Sequence, residues 1–480
     1  MTGKKCGGYI TVYLALTLGI ILSFITTMLA GARNRTVRFQ TECVTDIGLE
    51  SIFAEYHREM LKQYGLLYID SSYGRGSGSE EAVKSHLLRY MNLNFDTASE
   101  GRGWRDLTAC HADNASLEEV ALSSDKGGQV LDYQINRYMS VKYGPGSLPP
   151  LNEELGDPYG LIGEYDGYHS RREAFREEVY SIIEDYNRSL PPDKEPFNIS
   201  NPADAVEDLN KSNALFYALG EIDGSVFNST HTDALISHRS YKTGAGLKAD
   251  QSLPDGSELK TVIIDYIYDK CGYYDHEKDD PELKYEVEYI LERNASDKEN
   301  IEEIAEKIFK MRYVVNMSYL LSSGSKRAEA MALAEEATSI IGLPELTEAV
   351  GYTILFAWGY AESAKELRIL FDGNGLPAAK NDLNWNTPLE QIVDFKAHLN
   401  EYADPGGSLD YKAFLDGFLS VKGTEDINFG LMDVMEMDIR RTPGNSGFKM
   451  DDQIYQLSAD INVSGDFGYG CSIKRFYSYE

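Results

Sequence analysis

Chemistry needs side chains that ionise, ligate or attack, at spacings that let them converge. In this chain of 480 residues the candidates are few. The stretch DHEKDDPE, residues 275–282, gathers carboxylates around His276 and has the composition of a weak cation site. It lacks the glycine and the terminal glutamate of a calcium loop, so it reads as a solvated acidic turn. DGNG at 372–375 runs directly into Leu-Pro and also reads as a turn. SSYGRGSGSEE at 71–81 ends without the Lys-Ser or Lys-Thr of a phosphate-binding loop, and its Gly and Ser content makes it a flexible link. Eight histidines are scattered, no two at metal-ligand spacing, and no HExxH, GxSxG, P-loop or dinucleotide fingerprint is present. The expectation is therefore no catalytic residue, no cofactor and no metal.

The bulk numbers narrow the partners. The net charge of −31 argues against nucleic acid, because phosphate contacts need clustered Lys and Arg. The 33 tyrosines suit amphipathic core and rim positions, or surfaces for stacking a ligand. Of the five cysteines, none forms a CxxC pair, which speaks against zinc and thioredoxin-like chemistry. Cys43, Cys110, Cys271 and Cys471 leave two readings, a pair of disulfides in one of three connectivities or buried thiols.

The elements that would position any function begin with a membrane segment. From Cys6 to Ala32 there is no charged residue. As a helix this run measures roughly 40 Å, longer than a hydrocarbon core of roughly 30 Å. Tyr9, Leu16, Ile20, Phe24 and Leu29 mark a span over residues 9–31, with Tyr9 and Tyr13 at one interface. Lys4 and Lys5 precede the span, and Arg33, Arg35 and Arg38 follow it. The expected orientation is N-terminus cytoplasmic and C-terminal region outside, since long domains translocate largely regardless of flanking charge. A cleaved secretory signal is the rival reading, with Ala30-Gly31-Ala32 as the small-residue site.

Beyond Ala32, Leu49, Ile52, Phe53, Tyr56 and Met60 recur at helical spacing, which predicts one helix from Tyr9 to Tyr64 stopped by Gly65. Two helices meeting near Gly31 is the alternative, and Gly48 is a candidate kink. Further helices are expected over 80–92, 129–142 and 171–187, with 144–170 a surface loop and 189–202 the linker. WRDLTACHA and ASLEEVALS suggest a strand pair turning at Asp113-Asn114. Ser296 opens a capping-box helix, 326–341 is an Ala-rich helix, 349–361 a buried central helix, and 388–402 and 409–421 two more. At the end, Tyr455, Leu457, Ala459, Ile461 and Val463 alternate with polar residues, a strand that turns at 465–470 and pairs back as a hairpin. The fold class is thus α+β and mainly helical: a tail 1–8, a span 9–31, a helical stalk 32–64, a mixed region 65–255, and a helical region 256–480 ending in the hairpin.

Two resemblances follow from quoted motifs. GYITVYLAL, residues 8–16, is similar to the start of TadE/TadG-type pseudopilins of tight-adherence systems, with Gly8 at the processing glycine, the Gly8–Tyr9 bond as the cleavage point, and Tyr13 where that family carries Glu. More broadly, FAEYHREMLKQYGLLYID, YEVEYILERNASDKENIEEIAEKIF, ILFAWGYAESAKELRILFDG and LDYKAFLDGFL resemble an uncharacterised family of Gram-positive bacteria, domain of unknown function 5702. These resemblances imply a bitopic, non-catalytic cell-membrane protein. Its partners would be the bilayer and pilin-like subunits or their secretion machinery. The alternative is a membrane-anchored ligand-binding or hydrolytic ectodomain.

Overall fold

The computed structural model describes residues 8–96, 109–144, 155–191, 195–196, 214–220, 227–249, 251–392, 394–403, 405–465 and 468–479. The chain forms two compact units, each assembled from separated stretches. Unit one takes Met1–Tyr138, Arg239–Leu253 and Met435–Glu480; unit two takes Met139–His238 and Pro254–Val434.

Unit one is built on helix α1 (Tyr9–Phe53), which runs through Gly31 without a break. Its buried residues begin at Val37 and continue through Thr41, Val44, Thr45, Gly48, Leu49, Ile52 and Phe53, one stripe at helical period. That stripe packs on α3 (Glu80–Phe95) and on a four-stranded antiparallel sheet. Gly48 lets α3 approach and does not kink the helix: a Cβ there would sit 2.8 Å from Cγ of Met91. The sheet comprises β1 (Ile69–Asp70), β2 (His111–Leu122), β3 (Gln453–Gly465) and β4 (Tyr469–Ser478). β3 lies between β2 on one edge and β1 and β4 on the other, with Ile461 opposite both Ala115 and Ile473. The alternating strand and its hairpin are as the sequence predicts.

Several expectations change in unit one. The helix ends at Phe53 and not at Tyr64. Tyr56 leaves to bridge Ile69, and a separate helix α2 (Arg58–Tyr64) starts where His57 Nδ1 accepts from the Met60 amide. Gly65, at φ 73, ends that second helix in the left-handed conformation glycine tolerates. The expected turn at Asp113-Asn114 is absent among the described residues. Residues 111–122 form one strand, with bulges between Ala112 and Asn114 and between Glu118 and Ala121, and residues 101–108 lie outside the described set. The 71–81 segment is anchored: Ser71 Oγ donates to the Asp452 carbonyl at 2.7 Å, and the Gly78 amide donates to Asp452 Oδ2 at 2.8 Å. After a strained entry, α4 (Asp125–Tyr143) carries Gln134, whose amide clamps both backbone groups of Leu67.

Unit two is helical. α5 (Pro158–Ser189) begins far earlier than the loop expected over 144–170 allows. Its Gly-rich first turns are held by packing: Tyr165 lies edge-on to Tyr313 at 5.3 Å, and Tyr159 meets Phe418 at 6.1 Å. The proposed linker 189–202 falls mostly outside the described residues. α6 (Ala214–Leu219), α7 (Gly256–Lys270) and α8 (Glu286–Glu292) precede α9 (Asp297–Ser322), which Ser296 caps as expected, and α10 (Gly324–Ile341), which ends at left-handed Gly342. α11 (Thr347–Phe371) is the buried central helix. No helix covers 388–402. Short 3-10 turns at Leu389–Gln391 and Phe395–His398 stand in its place, and the carbonyls of Asn386 and Glu401 on either side of them accept from Lys365 Nζ at 3.3 and 3.0 Å. α12 (Tyr411–Val421) and α13 (Thr424–Arg440) complete the helices named here.

Buried charge holds α9 to α11. Arg312 grips Glu366 through two bonds of 2.9 and 2.7 Å, and Lys380 reaches Glu366 at 2.8 Å and Glu362 at 2.6 Å. Burial opposes ionisation of Glu366, yet the guanidinium and ammonium override it and hold the carboxyl at about 2.

Candidate functional site

Two features of unit one carry functional content, and they occupy the two ends of α1. At the start, the apolar residues are bare: Tyr9, Leu16, Ile20, Phe24 and Leu29 are all more than half exposed. The most apolar eighteen-residue window has a mean hydropathy of 2.1 and none of it is buried. By length and composition this is a helix able to cross a membrane. Its threonine hydroxyls bond back to the helix. Thr11 donates to the Gly8 carbonyl at 2.9 Å, Thr17 to Tyr13 at 2.9 Å, and Thr26 and Thr27 to Ser23 at 2.9 and 2.7 Å. Such back-bonding answers the threonine donors that hydrocarbon could not satisfy. Gly8 stands at the N-cap with open space around it and Tyr9 is the first helical residue, so the Gly8–Tyr9 bond lies at the exposed helix start.

At the other end, the last turn of α1 meets the end of β4 around a cavity of about 550 Å³. Glu50, Phe53, Tyr56, Leu67, Tyr477 and Tyr479 supply its walls. The aromatic walls are fixed against one another. Phe53 lies 4.7 Å from the Tyr477 ring and 4.9 Å from the Tyr479 ring. Tyr479 donates its hydroxyl to the Phe53 carbonyl, and its own carbonyl accepts from Tyr455, both at 2.8 Å. Glu50 points out of the helix surface and makes no hydrogen bond or ion pair through its carboxylate among the described residues. The neighbouring Glu55 is engaged: it accepts from Tyr90 at 2.6 Å and pairs with His86 Nδ1 at 2.9 Å, while the Tyr73 ring stacks on His86 at 4.0 Å. Burial and the Glu55 charge push the Tyr73 phenol well up. Burial, with Tyr73, Tyr477, Tyr56 and Glu55 nearby, does the same to Tyr479. The Tyr73 and Tyr479 phenols are therefore neutral at pH 7. The Glu55–His86 pair has the first link of a nucleophilic relay. Among the described residues no hydroxyl or thiol is hydrogen-bonded to the other ring nitrogen of His86, which a relay requires.

The motifs singled out in unit two do not converge. His276 closes a tight turn through reciprocal bonds with Tyr273 of 3.0 and 2.8 Å, and Glu277 and Lys278 bind Tyr285 and Glu286. Among the described residues no three His, Cys, Asp or Glu side chains form a metal-holding group. No disulfide joins Cys43, Cys110, Cys271 and Cys471, and the Cys471 thiol contacts Thr41 Oγ1 at 3.3 Å. Sequence reasoning missed the buried Glu288. Its Oε1 accepts from the Tyr274 amide and the Tyr411 hydroxyl, both at 2.9 Å, whereas Oε2 has no partner. Burial raises this carboxyl to about 7.

A protein-family model described as a family of unknown function (DUF5702) matches residues 192–465, more than half of the chain. The chain belongs to this family. The DUF5702 match begins after α1, α3 and β2 and stops at the end of β3, a shorter stretch than the quoted motifs suggest. The apolar helix and the walls of the aromatic cavity therefore lie outside it. Comparison with curated proteins and with solved structures gave no match.

Proposed function

We propose that this DUF5702 chain is a single-pass cell-membrane protein that acts without catalysis, as a pseudopilin-like component of a tight-adherence-type pilus or secretion assembly. Residues 9–31 would lie in the bilayer, the short basic tail in the cytoplasm and the remainder outside. The observation that carries this reading is the change along α1, where one unbroken helix is bare and apolar in its first half and becomes part of a packed core from Val37 onward. The internally bonded threonines of the bare half support it. The similarity of GYITVYLAL to pseudopilin starts supplies the assembly role, with Gly8–Tyr9 as the processing bond.

The test combines location, processing and partners. Wild-type protein should stay in the membrane after alkaline carbonate extraction, and Leu16→Arg with Ile20→Arg should release it, since each charge at mid-span costs about 2.5–3.5 kcal/mol. Mass spectrometry of the mature protein should find Tyr9 as the first residue; a start at Arg33 would mean secretion and end the proposal. Cysteines placed at Gly19 and Ser23 should crosslink to a pilin-like subunit when the neighbouring genes are expressed. A span that captures no such subunit removes the assembly role.

The second reading, a ligand-binding ectodomain on the same anchor, is favoured by one observation, the aromatic cavity at the far end of α1.

A further inference from the structure

We infer that the cavity between the last turn of α1 and the end of β4 is a binding site for a small organic ammonium ion. Its volume, about 550 Å³, lies within the range of small-molecule sites. Three sources of negative potential converge on it. The first is the Glu50 carboxylate, which has no cation of its own among the described residues. The second is the C-terminus of a 45-residue helix: Phe53 is its last residue, and the partial negative charge of the final carbonyls favours cations there. The third is the aromatic lining, to which Phe53, Tyr56, Tyr477 and Tyr479 contribute, because the quadrupole of an aromatic ring attracts an ammonium group over its face.

Among the described residues the lining contains no basic residue, so the walls themselves offer an anion no cation. A neutral sugar would gain the ring faces but leave Glu50 unanswered. An alkylated ammonium ion answers all three, with apolar methyl groups against the rings and a charge that Glu50 can approach. The walls are preorganised. Tyr479 is pinned by its hydroxyl and its carbonyl, and Leu67 by Gln134, so little ordering remains when a ligand enters. Phe476, a further residue of the lining, already carries an ammonium group: Lys248 Nζ lies 3.1 Å from the centroid of its ring, which leaves the rings of Phe53, Tyr56, Tyr477 and Tyr479 for a ligand. Glu50 lies about 30 Å along the helix from Gly31, at 1.5 Å per residue. Headgroups of the membrane that α1 would enter are therefore out of reach, which favours a soluble ion as the occupant. The inference does not depend on the assembly role proposed above.

The experiment is calorimetric titration of the full chain in a maltoside detergent with choline. The controls are its uncharged isostere 3,3-dimethylbutan-1-ol, phosphocholine, and Glu50→Gln protein whose melting temperature matches wild type. Choline should bind saturably. The isostere and the Glu50→Gln variant should each weaken binding by about tenfold, the scale of a desolvated cation–π and carboxylate contribution. Phosphocholine should bind more weakly than choline, because its phosphate enters the same negative field. Equal affinity for choline and its isostere would overturn the assignment, as would unchanged choline binding in Glu50→Gln, tighter binding of phosphocholine, or no saturable binding at all.

Discussion

Replacing Glu288 with Gln should stabilise unit two at alkaline pH and leave it nearly unchanged at pH 4.5 and below. The folded carboxyl titrates at about 7, against an ordinary value of 4.5, because the side chain is wholly buried. Donors from the Tyr274 amide and the Tyr411 hydroxyl answer only one of its oxygens. Between those two values the folded protein keeps a proton that the unfolded chain has released. Stability therefore falls as pH rises from 4.5 towards 7 and then levels off. A shift of this size corresponds to about 3 kcal/mol at roughly 1.4 kcal/mol per unit. Gln keeps the accepting oxygen and places an amide where Oε2 stands. That amide lacks a partner just as the protonated carboxyl does, so the local cost cancels at low pH. Asp275 and Asp265, raised by burial, add slope of the same sign to wild type. Asp297 and the phenols of Tyr268 and Tyr411 also face the group. The difference between variant and wild type isolates Glu288 from all of them. Urea unfolding of the full chain at half-unit steps from pH 4.5 to 8 measures it. A difference that opens with pH to about 3 kcal/mol supports the reasoning. A difference that stays flat, or one that closes as pH rises, refutes it.

Two further substitutions test the packing. Gly48→Ala should lower the melting temperature of unit one, because its new methyl group meets Met91 at 2.8 Å and overpacking costs about 1–3 kcal/mol. Gly31→Ala, with nothing within 4 Å, should not lower it. Arg312→Met should destabilise unit two by about 3–5 kcal/mol in chemical denaturation, because it strips the guanidinium from buried Glu366 while Lys380 alone must answer two carboxylates.

What could be read from the sequence depended on whether the signal was local to the element. The apolar run after Cys6 is legible from its length, the serine at 296 from its capping chemistry, the nearly all-apolar 349–361 segment from its composition, and the strand from Tyr455 to Val463 from its period of two. The end of α1 did not announce itself. Residues 54–57 contain neither Gly nor Pro, and the break comes from Tyr56 bridging Ile69 and His57 turning to cap a new helix. The Gly-rich start of α5 hid a helix for the opposite reason, since contacts such as Tyr165 on Tyr313 override poor propensity. The cavity was legible only as an excess of tyrosine. Its walls come from residues 50–67 and 476–479, and nothing in either segment names the other. Glu288 looked like any other acid in an acidic chain, because burial is a property of neighbours.

The position of β3 sets a timetable for the ribosome. β2 emerges early, but its partner strand follows roughly 330 residues later, which at about 5–20 residues per second is a delay of about 20–70 seconds. Throughout that interval β2 presents an open edge and α1 a stripe meant for a sheet not yet made. Unit two, whose last residue is Val434, is complete before the final strands exist. Unit one is therefore finished last although it starts first, and any truncation that removes the final strands should leave its N-terminal half as a client for chaperones and proteases.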